Sequence, residues 1–220
     1  MNGSIFFYAL NGEGALDWVG STMIWVLLLL SVVNISLIVQ SMMGNQRRTV
    51  FSASACDALR ELLASGRYND AIQRATRGTS DLELMVARAL DRSPQGVEAM
   101  SHAAEERADE LLAVRLRALE RLNILGQVAP MLGLFGTVYG MIAAFQTIAS
   151  TGGAANPVML AGGIGAALVS TFWGLFIAIP ATGAYAAMRN NAIAHSDEAL
   201  AATEELIALF RPAHDAAANK

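Results

Sequence analysis

The sequence is short of charge. Only 15% of its 220 residues are Asp, Glu, Lys or Arg, against about 25% in a typical soluble domain. The deficit is local. Residues 1–46 hold two charged side chains, Glu13 and Asp17, and residues 122–188 hold none. A chargeless run of that length is unsuited to water and long enough for two spans of about 20 residues each. Cysteine is almost absent too: Cys56 stands alone, so no intrachain disulfide can form. Also missing are the basic n-region expected of a cleavable signal peptide and the clustered basic patch expected of a nucleic-acid binder. The arginines of 47–121 alternate with acids, as in Glu105-Glu106-Arg107 and Asp109-Glu110, which reads as a solvated helix face. His102, His195 and His214 are dispersed, without metal-ligand spacing. Gly162-Gly163-Ile164-Gly165 follows no strand, so it is not a nucleotide-binding loop. The reading is therefore of a non-enzyme without metal or cofactor, partnered by a lipid bilayer and not by nucleic acid.

What is present is helix. The expected class is an all-α membrane protein with three transmembrane helices, two of them extended far into the cytoplasm. The segments are 1–17, outside, with residues 3–17 as an interfacial helix; 18–39, the first span; 40–121, a cytoplasmic helical domain; 122–150, the second span; 151–157, a periplasmic turn; 158–188, the third span; and 189–220, a cytoplasmic helix and tail. Within the cytoplasmic domain, Asp57 to Leu63 has helical spacing, Gly66 interrupts, and Tyr68 starts the next helix. Ser80 or Asp81 is placed to cap a third helix. Ser93-Pro94 reads as the start of one long helix, with Pro94 at its first position. Pro130 and Pro180 are expected kinks, because proline lacks the donor N–H. Pro212 is expected to stop the last helix after Phe210. Arginine is abundant in 40–121, absent from 151–157 and present at Arg189. By the positive-inside rule this places the N-terminus in the periplasm and the C-terminus in the cytoplasm.

The spans are rich in small residues. Gly162, Ala166, Ser170, Gly174 and Ala178 recur every fourth position, and Gly126, Gly133, Gly136 and Gly140 mark the second span. Such residues let helices approach closely in lipid. They serve packing within one subunit or between subunits, and their surplus over what three helices can bury points to an oligomer. Thr137 and Thr171 fall near mid-span. A membrane threonine often bonds only to its own helix, a reading that two on small-residue faces weaken without removing. No Asp, Glu, His, Lys or Arg lies inside a predicted span, whereas proton relays normally use such groups. If protons cross, a partner must supply the titrating group, or waters must carry the proton past the hydroxyls.

Ala129-Pro130-Met131-Leu132-Gly133-Leu134-Phe135-Gly136-Thr137-Val138-Tyr139-Gly140-Met141 resembles the second-span signature of the ExbB/TolQ family, relatives of flagellar MotA. Gly163 to Thr171 and Gly174 to Ala181 resemble its third-span signature. The resemblance implies a homopentamer around two copies of a single-span ExbD/TolR-like partner, each carrying a membrane Asp. It implies that Thr137 and Thr171 line the cavity near that Asp, with Ser170 and Ala166 beside them. Gly133, Gly136, Gly140, Gly162 and Gly174 are expected to pack helices. The implied role is the channel or stator subunit of a motor in the bacterial inner membrane that uses the proton-motive force for work in the periplasm or at the outer membrane. Ala166 stands where ExbB and TolQ commonly carry a Glu, so no Glu-dependent proton step is carried over. A non-conducting membrane scaffold is the alternative. A solute transporter is disfavoured by the absence of inverted repeats.

Overall fold

The structure is a computed structural model and describes residues 7–8, 17–153 and 157–209. The expected interfacial helix, the end of the 151–157 turn, Phe210, Pro212 and the tail lie wholly or largely outside the described residues. Every regular element among the described residues is helical: α1 (Trp18–Gly44), α2 (Arg47–Val50), α3 (Ala53–Ala64), α4 (Tyr68–Arg77), α5 (Asp81–Asp91), a 3-10 turn (Ser93–Gln95), α6 (Val97–Ser150) and α7 (Pro157–Ala208). Three of these, α1, α6 and α7, are long and apolar enough to cross a membrane. Contacts divide the chain into two units, residues 1–40 with 120–186 and residues 41–119 with 187–220.

The first unit combines α1 with the apolar stretches of α6 and α7. Its interior is small: Leu27, Leu125, Ala129 and Ile177 form one cluster, and Ile24 with Val169 another. The outward side chains are as apolar as the buried ones, among them Trp25, Leu29 and Val32 of α1, Leu134 and Phe135 of α6, and Leu175 and Ile179 of α7. That inversion suits a hydrocarbon surround, where helix association rests on close packing and polar contacts because burying apolar surface gains nothing. Both α6 and α7 continue as helix through Pro130 and Pro180. Pro180 cannot donate to the carbonyl of Phe176. One residue further on, Asn34 of α1 donates through Nδ2 to the carbonyl of Ile177 at 3.0 Å. Neighbouring side chains commonly serve backbone groups near a membrane proline in this way.

The second unit has an ordinary water-soluble core. Leu59, Leu63, Leu82, Met85, Val86, Met100 and Leu206 are buried together. Ser80 caps α5: its hydroxyl accepts from the Glu83 N–H while the Glu83 carboxylate accepts from the Ser80 N–H, a full capping box. Asp81, 8% exposed, accepts two hydrogen bonds from Arg115, at 2.8 and 2.9 Å. The same guanidinium donates to the carbonyl of Gly44 at 3.0 Å. Arg47 and Glu198 pair at the surface, and the hydrogen bond from Arg47 holds the Glu198 carboxyl below its usual range. Burial pushes the Cys56 thiol up. The expected start at Pro94 is corrected. Pro94 belongs to the 3-10 turn, and α6 begins at Val97 after Gly96, whose φ of 98° is open to glycine and strained for other residues.

Candidate functional site

The site is built on the seam between α6 and α7. Glycine brings the two backbones together. A Cβ on Gly133 would lie 2.9 Å from the Ser170 carbonyl oxygen and 3.0 Å from the Thr171 Cα; one on Gly174 would lie 2.7 Å from the Ala129 carbonyl oxygen. A Cβ on Gly140 would lie 2.7 Å from that of Ala167, and one on Gly136 would lie 2.6 Å from that of Ser170. The α7 side of this seam is therefore Gly163, Ala167, Ser170, Gly174 and Ala181.

That register corrects the every-fourth-residue stripe. At about 100° per residue, a step of four overshoots a turn by about 40°, so Gly162 lies well around the helix from Ala178. Gly162 has nothing within 4 Å of where its Cβ would be. A Cβ on its neighbour Gly163 would lie 3.7 Å from that of Ala144.

At the centre of the seam three hydroxyls share two carbonyls. The Gly133 carbonyl can accept from Thr137 at 3.2 Å, Ser170 at 3.1 Å and Thr171 at 3.1 Å. The Ala167 carbonyl can accept from Ser170 at 2.6 Å and Thr137 at 3.2 Å. Thr137 and Thr171 also bond to each other, and either can donate. Each carbonyl has two lone pairs, one of which serves the helix ladder. Three O–H groups therefore compete for the remaining pairs, and the Thr–Thr bond takes the excess. The direction of that bond reverses by rotating hydrogens alone. Chemically, this is a short hydroxyl relay on which a charged visitor can impose a direction.

The four residues expected to line one path do not share a face. Thr137 and Thr171 are half-buried on one side of the seam. Ser170 is 3% exposed and lies over Gly136. Ala166 packs with Ile24, Leu28, Val169 and Trp173, on the side that meets α1. The reason is again angular: Ser170 is about 100° and Ala166 about 140° around α7 from Thr171. Ser170 and Ala166 are thus interior residues of this bundle, and only the threonine pair faces outward.

Two contacts were missed from sequence. Asn34 is a polar residue within the apolar run of the first span, and nothing local there points to Ile177. Asp17, just before α1, accepts a hydrogen bond from the Tyr139 hydroxyl at 3.3 Å. The end of α1 is therefore level with a residue eleven positions before the end of α6, about 16 Å along that helix, and a carboxylate lies beside the second span. Tyr139 is about 200° around α6 from Thr137, so this acid serves the α1 side and not the threonine side.

Three membrane-length helices and a glycine-tight seam carrying a hydroxyl relay define a helical, multi-span membrane protein equipped for ion transport. Residues 72–199, more than half of the chain, match the MotA/TolQ/ExbB proton channel family, and the chain belongs to that family. The match runs from within α4 through the seam into the second half of α7 and leaves α1 outside. No match is found among the curated proteins. Family membership assigns a proton-channel, stator-like role at a membrane.

Proposed function

We propose that this chain is the channel or stator subunit of a proton-driven motor in the bacterial inner membrane. Five copies would surround two single-span partner helices of the ExbD/TolR kind, with the Thr137–Thr171 side of each seam toward the partner's membrane Asp. The N-terminus would lie in the periplasm and the C-terminus in the cytoplasm. Proton movement would drive partner motion that does work in the periplasm or at the outer membrane.

The observation that carries this reading is a hydroxyl relay with no acid of its own. Residues 122–188 contain no ionisable carboxylate, and Asp17 is engaged on the far side of α6. A relay of this kind can stabilise and exchange hydrogen bonds with a carboxylate, but it cannot hold the proton. A guest acid supplies what the seam lacks.

The test is proton flux in vesicles containing this chain and its partner. Hydrogen bonds to charged groups contribute about 1.5–3 kcal/mol, so Thr171→Ala should lower flux about tenfold or more. Full flux in a Thr137→Val, Thr171→Val double variant would count against the mechanism. Full motor function without flux would favour the scaffold alternative.

A further inference from the structure

Gln127 sits on a stretch of α6 with exposed apolar neighbours: Ile124, Val128 and Met131. It is exposed as well. An amide facing hydrocarbon without a hydrogen-bond partner is costly, and polar groups in membrane helices commonly face protein or a water-filled cavity. The amide is also not isolated. Gln127 Nε2 donates to Asn123 Oδ1 at 3.0 Å, and Asn123 Nδ2 donates to Glu120 Oε1 at 2.8 Å. All three belong to the same unit. They form a ladder up one face of α6, with a carboxylate at its foot and the Gln127 amide oxygen at its head.

The face is the informative part. At about 100° per residue, Asn123, Gln127 and Glu120 lie within about 40°, 80° and 100° of Thr137, whereas Val128 is about 180° away. The ladder therefore climbs the flank of the helix next to the threonine side, closest to it at Asn123. At this level α7 presents Thr182, also exposed, whose methyl meets Gly126. From Gln127 to Thr137 is ten residues, about 15 Å. Met131 and Leu134, both exposed, occupy that interval, so no polar side chain of α6 continues the ladder to Thr137.

The geometry points to a hydrated vestibule on this face of α6, lined by Gln127, Asn123 and Glu120, that carries a hydrated proton or small cation between the threonine pair and the cytoplasm. Outward-facing amide oxygens and a carboxylate attract cations and repel anions. The inference rests on the orientation and path given under Proposed function, but its test needs no flux.

The experiment uses the full chain with Cys56→Ala in inside-out membrane vesicles, and single cysteines at Gln127, Asn123 and Val128. Each is treated with membrane-impermeant cationic and anionic thiosulfonates. Gln127→Cys should label within about tenfold of the rate of Asn123→Cys, and Val128→Cys at least tenfold slower. The cationic reagent should be preferred several-fold at Gln127→Cys, and adding Glu120→Gln should abolish the preference. Three results would overturn the vestibule: Gln127→Cys as slow as Val128→Cys, Gln127→Cys protected by disulfides between copies, or a charge preference indifferent to Glu120→Gln. Cationic labelling as expected, combined with flux indifferent to Thr171→Ala, would sink the motor reading while leaving the vestibule standing.

Discussion

At the scale of single residues, the polar atoms of the membrane unit have separate tasks. Asn34 serves a carbonyl beside Pro180, Ser170 fills the interior, and Thr137 with Thr171 keep hydroxyls at an open edge. The threonines were legible in the sequence because each sits mid-span among small residues. The partners of Asn34 and Asp17 were not, because they lie 143 and 122 positions away and no local pattern encodes such a pairing. Cys56 gives a simple check on the soluble unit. It is 5% exposed, and burial raises its pKa, so little thiolate is present at neutral pH. Alkylation of the native protein should be at least about tenfold slower than that of the denatured chain, read by mass spectrometry. Equal rates would mean that α3 does not bury this side chain.

At the scale of elements, helix existence was plain and helix register was not. Apolar runs and capping signals located α1, α3, α4, α5 and the two long helices, and of the two expected caps, Ser80 or Asp81, the structure uses Ser80. The seam escaped because a four-residue repeat looks continuous in one dimension but drifts around a helix. Contact falls at Gly163, Ala167, Ser170 and Gly174, alternating steps of four and three. Gly174→Ala should therefore be disruptive although alanine is the better helix former. Its methyl would meet the Ala129 carbonyl oxygen, and a forced separation of this kind costs about 1–3 kcal/mol. Gly162→Ala, with open space, should be near neutral. Thermal unfolding in detergent would compare the two. In the soluble unit, Ser80→Ala should cost about 1 kcal/mol through loss of the cap. Arg115→Ala should cost more, about 3 kcal/mol, because it leaves Asp81 without its partner at 8% exposure. Replacing both members of that pair should restore part of the loss in chemical denaturation.

At the scale of the whole molecule, the sequence already separated lipid-facing from water-facing chain, because charge is confined to residues suited to water. The proposed topology can be checked directly. In a Cys56→Ala background, cysteine at Thr151 should react with an impermeant thiol reagent from the periplasmic side, and cysteine at exposed Glu98 only from the cytoplasmic side; the opposite pattern would invert the topology. What the sequence could not convey is how much depends on Gly133. Three hydroxyls reach its carbonyl only because no side chain stands between the helices there. A methyl at that position would remove no polar atom and add nothing that ionises, yet it would prise all three from the oxygen they share. The most sensitive place in this proton-channel chain is therefore one where nothing protrudes, and the smallest possible enlargement there should silence it as thoroughly as deleting the hydroxyls themselves.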